Sequence, residues 1–337
     1  MEIDISDGIE SGNLKIKVLT TNVVDITLLT EERFGGKVIQ PGSNAIRTTG
    51  EHGLAMSIEI KDGDSTHLYL LDSGNITSTI IENSKVFKVQ LKNIEKLILS
   101  HGHFDHFGAL LKLIPELNEN CEIILNPECY FQSYGITFSP EKYVSVEGSG
   151  KSLEDLKNEG IIKQIRKYPM LHKKFLWDIA ESHRIKINET NKPCKISSGI
   201  TTSGEIAIFD ENEITKGVYI EKNNNEFRRY LARDETSLYL NIRNKGLVIL
   251  TGCGHAGIMN TIRHAQDLTG IQKIYAIIGG LHKVNQPHEV IDNTIKFIEG
   301  LNPEITCGMH CTGFEFNQKM TRHHSHTLGV VGTEFHL

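Results

Sequence analysis

The string Leu97-Ile-Leu-Ser-His101-Gly-His103-Phe-Asp105-His106 closes an apolar run with three histidines and an aspartate inside six positions. Imidazole nitrogens and a carboxylate are the donors that suit zinc, iron or manganese. A catalytic centre needs several of them converging, with a coordination position left open. A lone His-x-His is common on surfaces, but the full string directly after a buried strand predicts a metal-binding turn. Three later apolar runs finish in the same manner: Thr251-Gly-Cys253-Gly-His255, Gly279-Gly-Leu-His282 and Gly308-Met-His310-Cys311-Thr-Gly313. Functional residues of α/β sheets collect in the loops at strand ends, on one edge. His255 and His310 therefore read as ligands brought to the first turn. His282 fits ligation, a place behind the ligands, or contact with substrate. Cys253 reads equally as a thiolate ligand or a small buried residue. His52 and His183 are isolated polar residues, able to meet an anionic substrate or simply to face solvent. The segment His323-His324-Ser-His326 reads as a solvated tail.

The elements that must position these residues follow from periodicity. Residues 14–19 and 55–60 alternate with period two, 66–71 is mostly apolar, and Lys61-Asp-Gly-Asp64 between the last two is hairpin chemistry. Residues 94–99 form the strand that feeds the metal turn, and 109–114 a helix stopping near Pro115. In the last third, strands at 246–251, 274–278 and 305–309 alternate with helices at 258–268 and 288–301, which predicts a layered α/β architecture. The middle is less regular. It carries a Gly-rich interruption (Glu147-Gly-Ser-Gly150), a helix at 152–159 and a polar tract at 221–226. We read one domain over 1–337, with less regular insertions at about 115–180 and 210–233 that could form a lid.

Composition narrows the partners. A net charge of −6 offers no basic footprint for nucleic acid and argues against an anionic membrane surface. No stretch approaches the roughly 20 apolar residues of a membrane span. The acidic start lacks a cationic and apolar leader, and the six cysteines are scattered rather than dense. A cytoplasmic protein with reduced thiols, acting on a small molecule, is the expectation; its oligomeric state is left open.

With these residues assembled, the chain resembles the metallo-β-lactamase superfamily, carried by residues 97–106 and the upstream Leu71-Asp72-Ser-Gly74. Within it, the resemblance runs to the dihydropterin–ribofuranosylaminobenzene phosphate synthase-like subgroup. Its cues are Glu51-His-Gly-Leu54, Asp234-Glu-Thr-Ser-Leu238, Leu250-Thr-Gly-Cys-Gly-His-Ala-Gly-Ile258, Ile278-Gly-Gly-Leu-His282 and His310-Cys-Thr-Gly313, with Ser182-His-Arg-Ile185 and Thr202-Ser-Gly-Glu205. The resemblance implies a four-layer αββα sandwich holding two divalent ions, with zinc first and iron or manganese as alternatives. It implies His101 and His103 as ligands of a first ion, and Asp105, His106 and His310 of a second. Dinuclear relatives have a bridging aspartate where this chain has Cys253-Gly-His255, and His255 is taken as the remaining first-site ligand. Asp105 would also orient the nucleophilic water, and a carboxylate or backbone carbonyl should hold each histidine's far nitrogen. The implied activity is hydrolysis of a small anionic, phosphorylated substrate by metal-bound hydroxide. The alternatives are a transferase joining a dihydropterin methyl diphosphate to a ribofuranosylaminobenzene phosphate, and a non-catalytic metal-binding sensor.

Overall fold

The computed structural model describes residues 2–139, 151–223 and 226–337. Two sheets face one another. The first runs, in spatial order, Val38–Ile39, Glu334–His336, Leu14–Thr20, Ala55–Asp62, Ser65–Leu71, Ile94–Ile98, Glu122–Leu125 and Lys186–Glu189. The second runs Lys195–Ser197, Ile200–Thr202, Leu238–Ile242, Gly246–Thr251, Ile274–Gly280 and Ile305–Met309. Strand side chains alternate between faces, and that alternation makes the layers. Ile16, Met56, Ile58, Leu71 and Ile98 meet Leu238, Leu240, Val248 and Leu250 between the sheets. The opposite faces pack on helices. Leu68, Leu70, Leu97 and Ile123 cover helices Thr79–Val86 and Lys173–Ser182, while Leu247, Ile249 and Ile277 cover Ile258–Thr269 and His288–Leu301. Each such Leu or Ile contributes about 1.5–3 kcal/mol by burial. The result is the four-layer αββα sandwich.

Strand direction decides where the chemistry falls. Ser65–Leu71, Ile94–Ile98 and Glu122–Leu125 are mutually parallel, as are Gly246–Thr251, Ile274–Gly280 and Ile305–Met309. Parallel neighbours end on a common edge, so Asp72, His101, His255, His282 and His310 all emerge there.

Two segments depart from the sequence expectation. The stretches read as less regular, about 115–180 and 210–233, supply a third, four-stranded antiparallel sheet from Gln132–Phe138, Ile162–Lys167, Val218–Asn223 and Glu226–Arg229. It packs Tyr134, Ile136 and Ile162 on helix Leu153–Asn158, whose start is fixed by a Ser152–Asp155 capping box. The Gly-rich 147–150 lies outside the described residues, as do 224–225 of the polar tract. The C-terminal histidine segment is not a solvated tail: Ser325 and His326 are buried. Thr306 N–H donates to the Ser325 carbonyl at 2.8 Å, Arg33 donates to the carbonyls of His324 and His326, and Glu334–His336 then pairs with Leu14–Thr20. Among the described residues no helix is long and apolar enough to cross a membrane.

Gly252 marks where the two sheets close on the site. A Cβ there would stand 2.1 Å from Ser100 Oγ and 2.9 Å from Asp72 Oδ2. Gly252→Ala is expected to lower stability by about 1–3 kcal/mol, the range for overpacking. Gly300, inside helix His288–Leu301 with nothing near its Cβ, should instead gain about 0.5–1 kcal/mol as Ala. Denaturant midpoints of the two variants moving in the same direction would contradict this packing.

Candidate metal centre

Strand Ile94–Ile98 delivers Ser100 and His101, and a short helix, Phe104–Phe107, begins immediately after His103. Asp105 and His106 therefore leave adjacent positions of one helical turn, within reach of the strand end. Asp72 fixes this turn from behind. It lies wholly buried at φ 62° and accepts from Ser100 N (2.7 Å), Ser100 Oγ (2.8 Å) and His106 Nδ1 (2.6 Å). His282 and His310 also hold positive φ, 42° and 54°. Left-handed backbone at bulky residues is costly and concentrates at functional sites.

Two donor groups result. His103 Nδ1 lies 3.1 Å from His101 Nε2 and 3.0 Å from His255 Nε2. In the second group, His310 Nε2 lies 3.2 Å from both His106 Nε2 and Asp105 Oδ2. Ligands about 2.0–2.1 Å from a tetrahedral zinc stand about 3.4 Å apart, so both groups fit an ion with little movement. Each has three protein donors, the number that leaves a position open. Cys253 stands at their junction: its Sγ is 3.3 Å from His106 Nε2 and clusters with His101. Cys311 Sγ is 3.1 Å from Cys253 Sγ, and both join His282 in a further donor cluster.

The far nitrogens of four of these histidines are held, only one by the expected carboxylate, while His103 Nε2 is buried without a partner. Asp72 takes His106; Ser100 Oγ faces His101 Nδ1 (2.9 Å), Thr215 Oγ1 faces His255 Nδ1 (3.0 Å), and Asn22 Oδ1 faces His310 Nδ1 (3.1 Å). Such partners set ring orientation and tautomer. Sequence reasoning missed Asn22, Ser100 and Thr215 in this capacity. It also missed Glu235, which accepts from the backbone N–H of Gly254, His255 and Ala256 at 2.6–2.8 Å, and Asp234, which accepts from Gly102 N at 2.8 Å. Two adjacent carboxylates between apolar runs were the available signal. His52 faces the cleft with Nε2 3.3 Å from Asp105 Oδ2 and its ring 4.8 Å from that of His310. The His282 ring lies 4.2 Å from that of His255, with a buried, unpartnered Nδ1. His183 does not join them: it caps helix Lys173–Ser182 and is not among the residues lining the cleft.

The two groups differ electrostatically. Burial holds the His101 and His255 rings far below the ordinary imidazole range, with neighbouring histidines adding to the effect, and lowers His103 to about 4. His106 goes the other way. Burial opposes its charge, but Asp72 and Asp105 outweigh it and raise the ring to about 9. Asp105 is held low because His106, with hydrogen bonds from His310 and His52, overcomes burial. Burial lifts Asp234 to about 6 and Glu235 to about 7.

Of these residues, His52, His103, Asp105, Cys253, His255, His282, His310 and Cys311 line a cleft of about 1240 Å³. Comparison with known proteins agrees with its floor. The metallo-β-lactamase superfamily profile matches residues 51–121. The 7,8-dihydropterin-6-methyl-4-(β-D-ribofuranosyl)-aminobenzene-5'-phosphate synthase of Methanocaldococcus jannaschii is 30% identical over 271 residues, covering 79% of this chain and 82% of that protein. An uncharacterised protein of the same organism is 26% identical over 282 residues, covering 84% and 92%. Among solved structures, Tm1679, described as a metal-dependent hydrolase of the β-lactamase superfamily, superposes with a TM-score of 0.67 at 19% identity, covering 96% of this chain and 99% of its own. The chain belongs to the metallo-β-lactamase superfamily. Its similarity within that superfamily runs to the synthase subgroup that the sequence motifs indicated.

A metal must displace a bound proton from His106 but not from the other three-donor group. Loading the Asp105–His106–His310 group near pH 7.5 should therefore release about one proton, and loading the His101–His103–His255 group none. Calorimetry in buffers of different ionisation heat measures this, and NMR titration of the metal-free protein should find His106 changing near 9 and His103 near 4. Equal proton release at both groups would overturn the assignment.

Proposed function

We propose that the chain is a metal-dependent transferase that breaks a carbon–oxygen bond to a diphosphate and passes the carbon to a phosphorylated aryl substrate. The observation that carries this reading is that members of both donor groups, His103 and His255 of one and Asp105 and His310 of the other, line a single cleft of about 1240 Å³. That volume exceeds the roughly 300–1,000 Å³ of a single-ligand pocket and admits two organic substrates. The relative's printed name, a synthase of a dihydropterin–ribofuranosylaminobenzene phosphate, supports the same class.

His101, His103 and His255 would hold one divalent ion, and Asp105, His106 and His310 the other, with Cys253 standing between the two groups. The donor set favours zinc, with iron or manganese as alternatives. Two such ions would supply Lewis acidity toward departing phosphoryl oxygens and, without an acceptor substrate, a hydroxide at neutral pH. Asp105 and Asp72 balance the positive charge gathered there. The electron pair of the broken bond leaves with the diphosphate, and the incoming nucleophile gives up a proton. His52 faces the cleft against Asp105 and is placed to take that proton. A second reading, hydrolysis of an anionic phosphoester, is favoured by one feature: Asp105 lines the open cleft with its side chain 11% exposed, where water can enter.

The discriminating experiment follows diphosphate release from a dihydropterin methyl diphosphate by the metal-loaded protein. Release that requires the ribofuranosylaminobenzene phosphate indicates transfer, and release without it indicates hydrolysis. Bound metal with no turnover of any phosphoester would leave the sensor reading. His101→Ala and His255→Ala should lower metal content by elemental analysis, and His103→Ala should cost activity beyond the ~10–100-fold typical of losing an outer partner. In cobalt-substituted protein, Cys253→Ser should remove a sulfur-to-cobalt charge-transfer band that Cys311→Ser retains. The band surviving Cys253→Ser would exclude the thiolate from the metals.

A further inference from the structure

The walls of the cleft differ in chemistry, and each wall belongs to one donor group. On the His101–His103–His255 side stands the third sheet. Along strand Ile162–Lys167 and just past it, Gln164, Arg166 and Tyr168 recur at every second residue and line the cleft together. The Tyr168 ring lies 6.1 Å from the His103 ring. Gly135 pairs with Arg166 across the sheet, and a Cβ on it would stand 2.5 Å from the Tyr168 hydroxyl, so the glycine keeps that ring over the site. Lys216 follows Thr215, the residue that holds His255, and also lines the cleft. Arg166 and Lys216 are exposed, and among the described residues no carboxylate stands within ion-pair distance of either. Glu213, near Lys216 in sequence, is committed to buried Lys283 at 3.1 Å.

Around His310 the wall carries large apolar side chains among the amides Asn22, Asn285, Gln286 and Asn317. Val23, Val284, Phe314 and Leu328 line it, each 40–79% exposed. The loop after His310 holds them in place. Asn22 Nδ2 donates to the His310 carbonyl, Val284 N–H donates to the Cys311 carbonyl, and Val23 O accepts from Val331 N. Gly313, at φ 84°, lets Val284 approach, since a Cβ would lie 3.0 Å from its Cα. Asp25 is the carboxylate on this side, and its oxygen is taken by Thr27 at 2.7 Å. Four large apolar side chains exposed around one recess mark a binding surface.

We propose that the cleft takes an amphipathic anion lengthwise, its phosphoryl end on Arg166 and Lys216 and its flat apolar end against Val23, Val284, Phe314 and Leu328. The reacting bond then lies over the donor groups between the walls. The proposal rests on the metal-dependent reading above and specifies its substrate class; charge complementarity selects the anion, and the exposed Phe314 ring in the cleft lining selects a planar partner. Two unpaired cations supply bidentate and point-charge recognition of phosphoryl oxygens respectively.

Calorimetric titration of metal-loaded protein with naphthylmethylphosphonate and with methylphosphonate tests this, because a carbon–phosphorus bond is not an ester to be cleaved. Wild type should bind the naphthyl compound about tenfold or more tightly than the methyl one, as burial of a ring requires. Arg166→Gln with Lys216→Gln should weaken both phosphonates by about tenfold or more, the size of a lost charge-assisted contact, and keep the naphthyl preference. Phe314→Ser with Leu328→Ser should abolish the preference and leave methylphosphonate binding unchanged. Metal content should be unchanged in both double variants. Equal wild-type affinity for the two phosphonates, or undiminished binding without the cations, would overturn the proposal. Failure of the transferase reading would show instead in diphosphate release, with these binding patterns intact.

Discussion

The Asp72 carboxylate is the contact on which the rest of the site depends. It is buried at the end of strand Ser65–Leu71, where desolvation alone would make a charge costly. Three donors reach it, from the backbone and hydroxyl of Ser100 and the Nδ1 of His106. That single group therefore sets the path of the turn carrying His101 and His103, the tautomer of His106, and the approach of Gly252 from the other sheet. Its left-handed backbone is tolerated because three charge-assisted bonds oppose the strain.

Charge then separates the two donor groups. The first is three imidazoles that burial keeps neutral, ready to ligate without losing a proton. The second places carboxylates on either side of His106, and these raise the ring to about 9 against the cost of burial. Both arrangements come from adjacent residues of one turn. The difference lies in which strand end faces each: His255 brings only another imidazole and Thr215, whereas His106 faces Asp72.

How much of this is legible in the sequence depends on whether a residue acts through type and spacing or through contact. The turn at 101–106 is legible because four ligand types follow a strand within six positions. His255, His282 and His310 are legible because parallel strands must end on a common edge. Cys253 is not, since periodicity does not say whether a small residue past a strand end points at the ligands or into the core. Asn22 and Thr215 look like any amide or hydroxyl in a loop. The third sheet leaves a trace in the alternation of Gln132-Ser-Tyr134-Gly-Ile136-Thr-Phe138, but its partner strands are drawn from positions separated by most of the middle region. The C-terminal histidines mislead because their polarity suggests solvent, and His324 is indeed exposed, while Ser325 and His326 turn inward, with Thr306 N–H on the Ser325 carbonyl and Arg33 on that of His326.

The sandwich and its six nitrogen and oxygen donors are compatible with water or with an organic nucleophile, so the choice of reaction must come from what surrounds them. Here the surrounding parts are the third sheet and the loops carrying Val23, Val284, Phe314 and Leu328. A hydrolase needs only to admit water to the open coordination position. A transferase must bring two solutes together over the same ions and leave water little room beside them. Walls of opposite polarity serve that second demand, because each end of an amphipathic substrate displaces water from one side. Asp105 lines the cleft beneath the exposed His52, and a ligand filling the cleft would displace water from both. The residues that differ in chemistry thus come from two sources, the third sheet and the loops at Val23, Val284, Phe314 and Leu328, while the donor groups come from the strand ends.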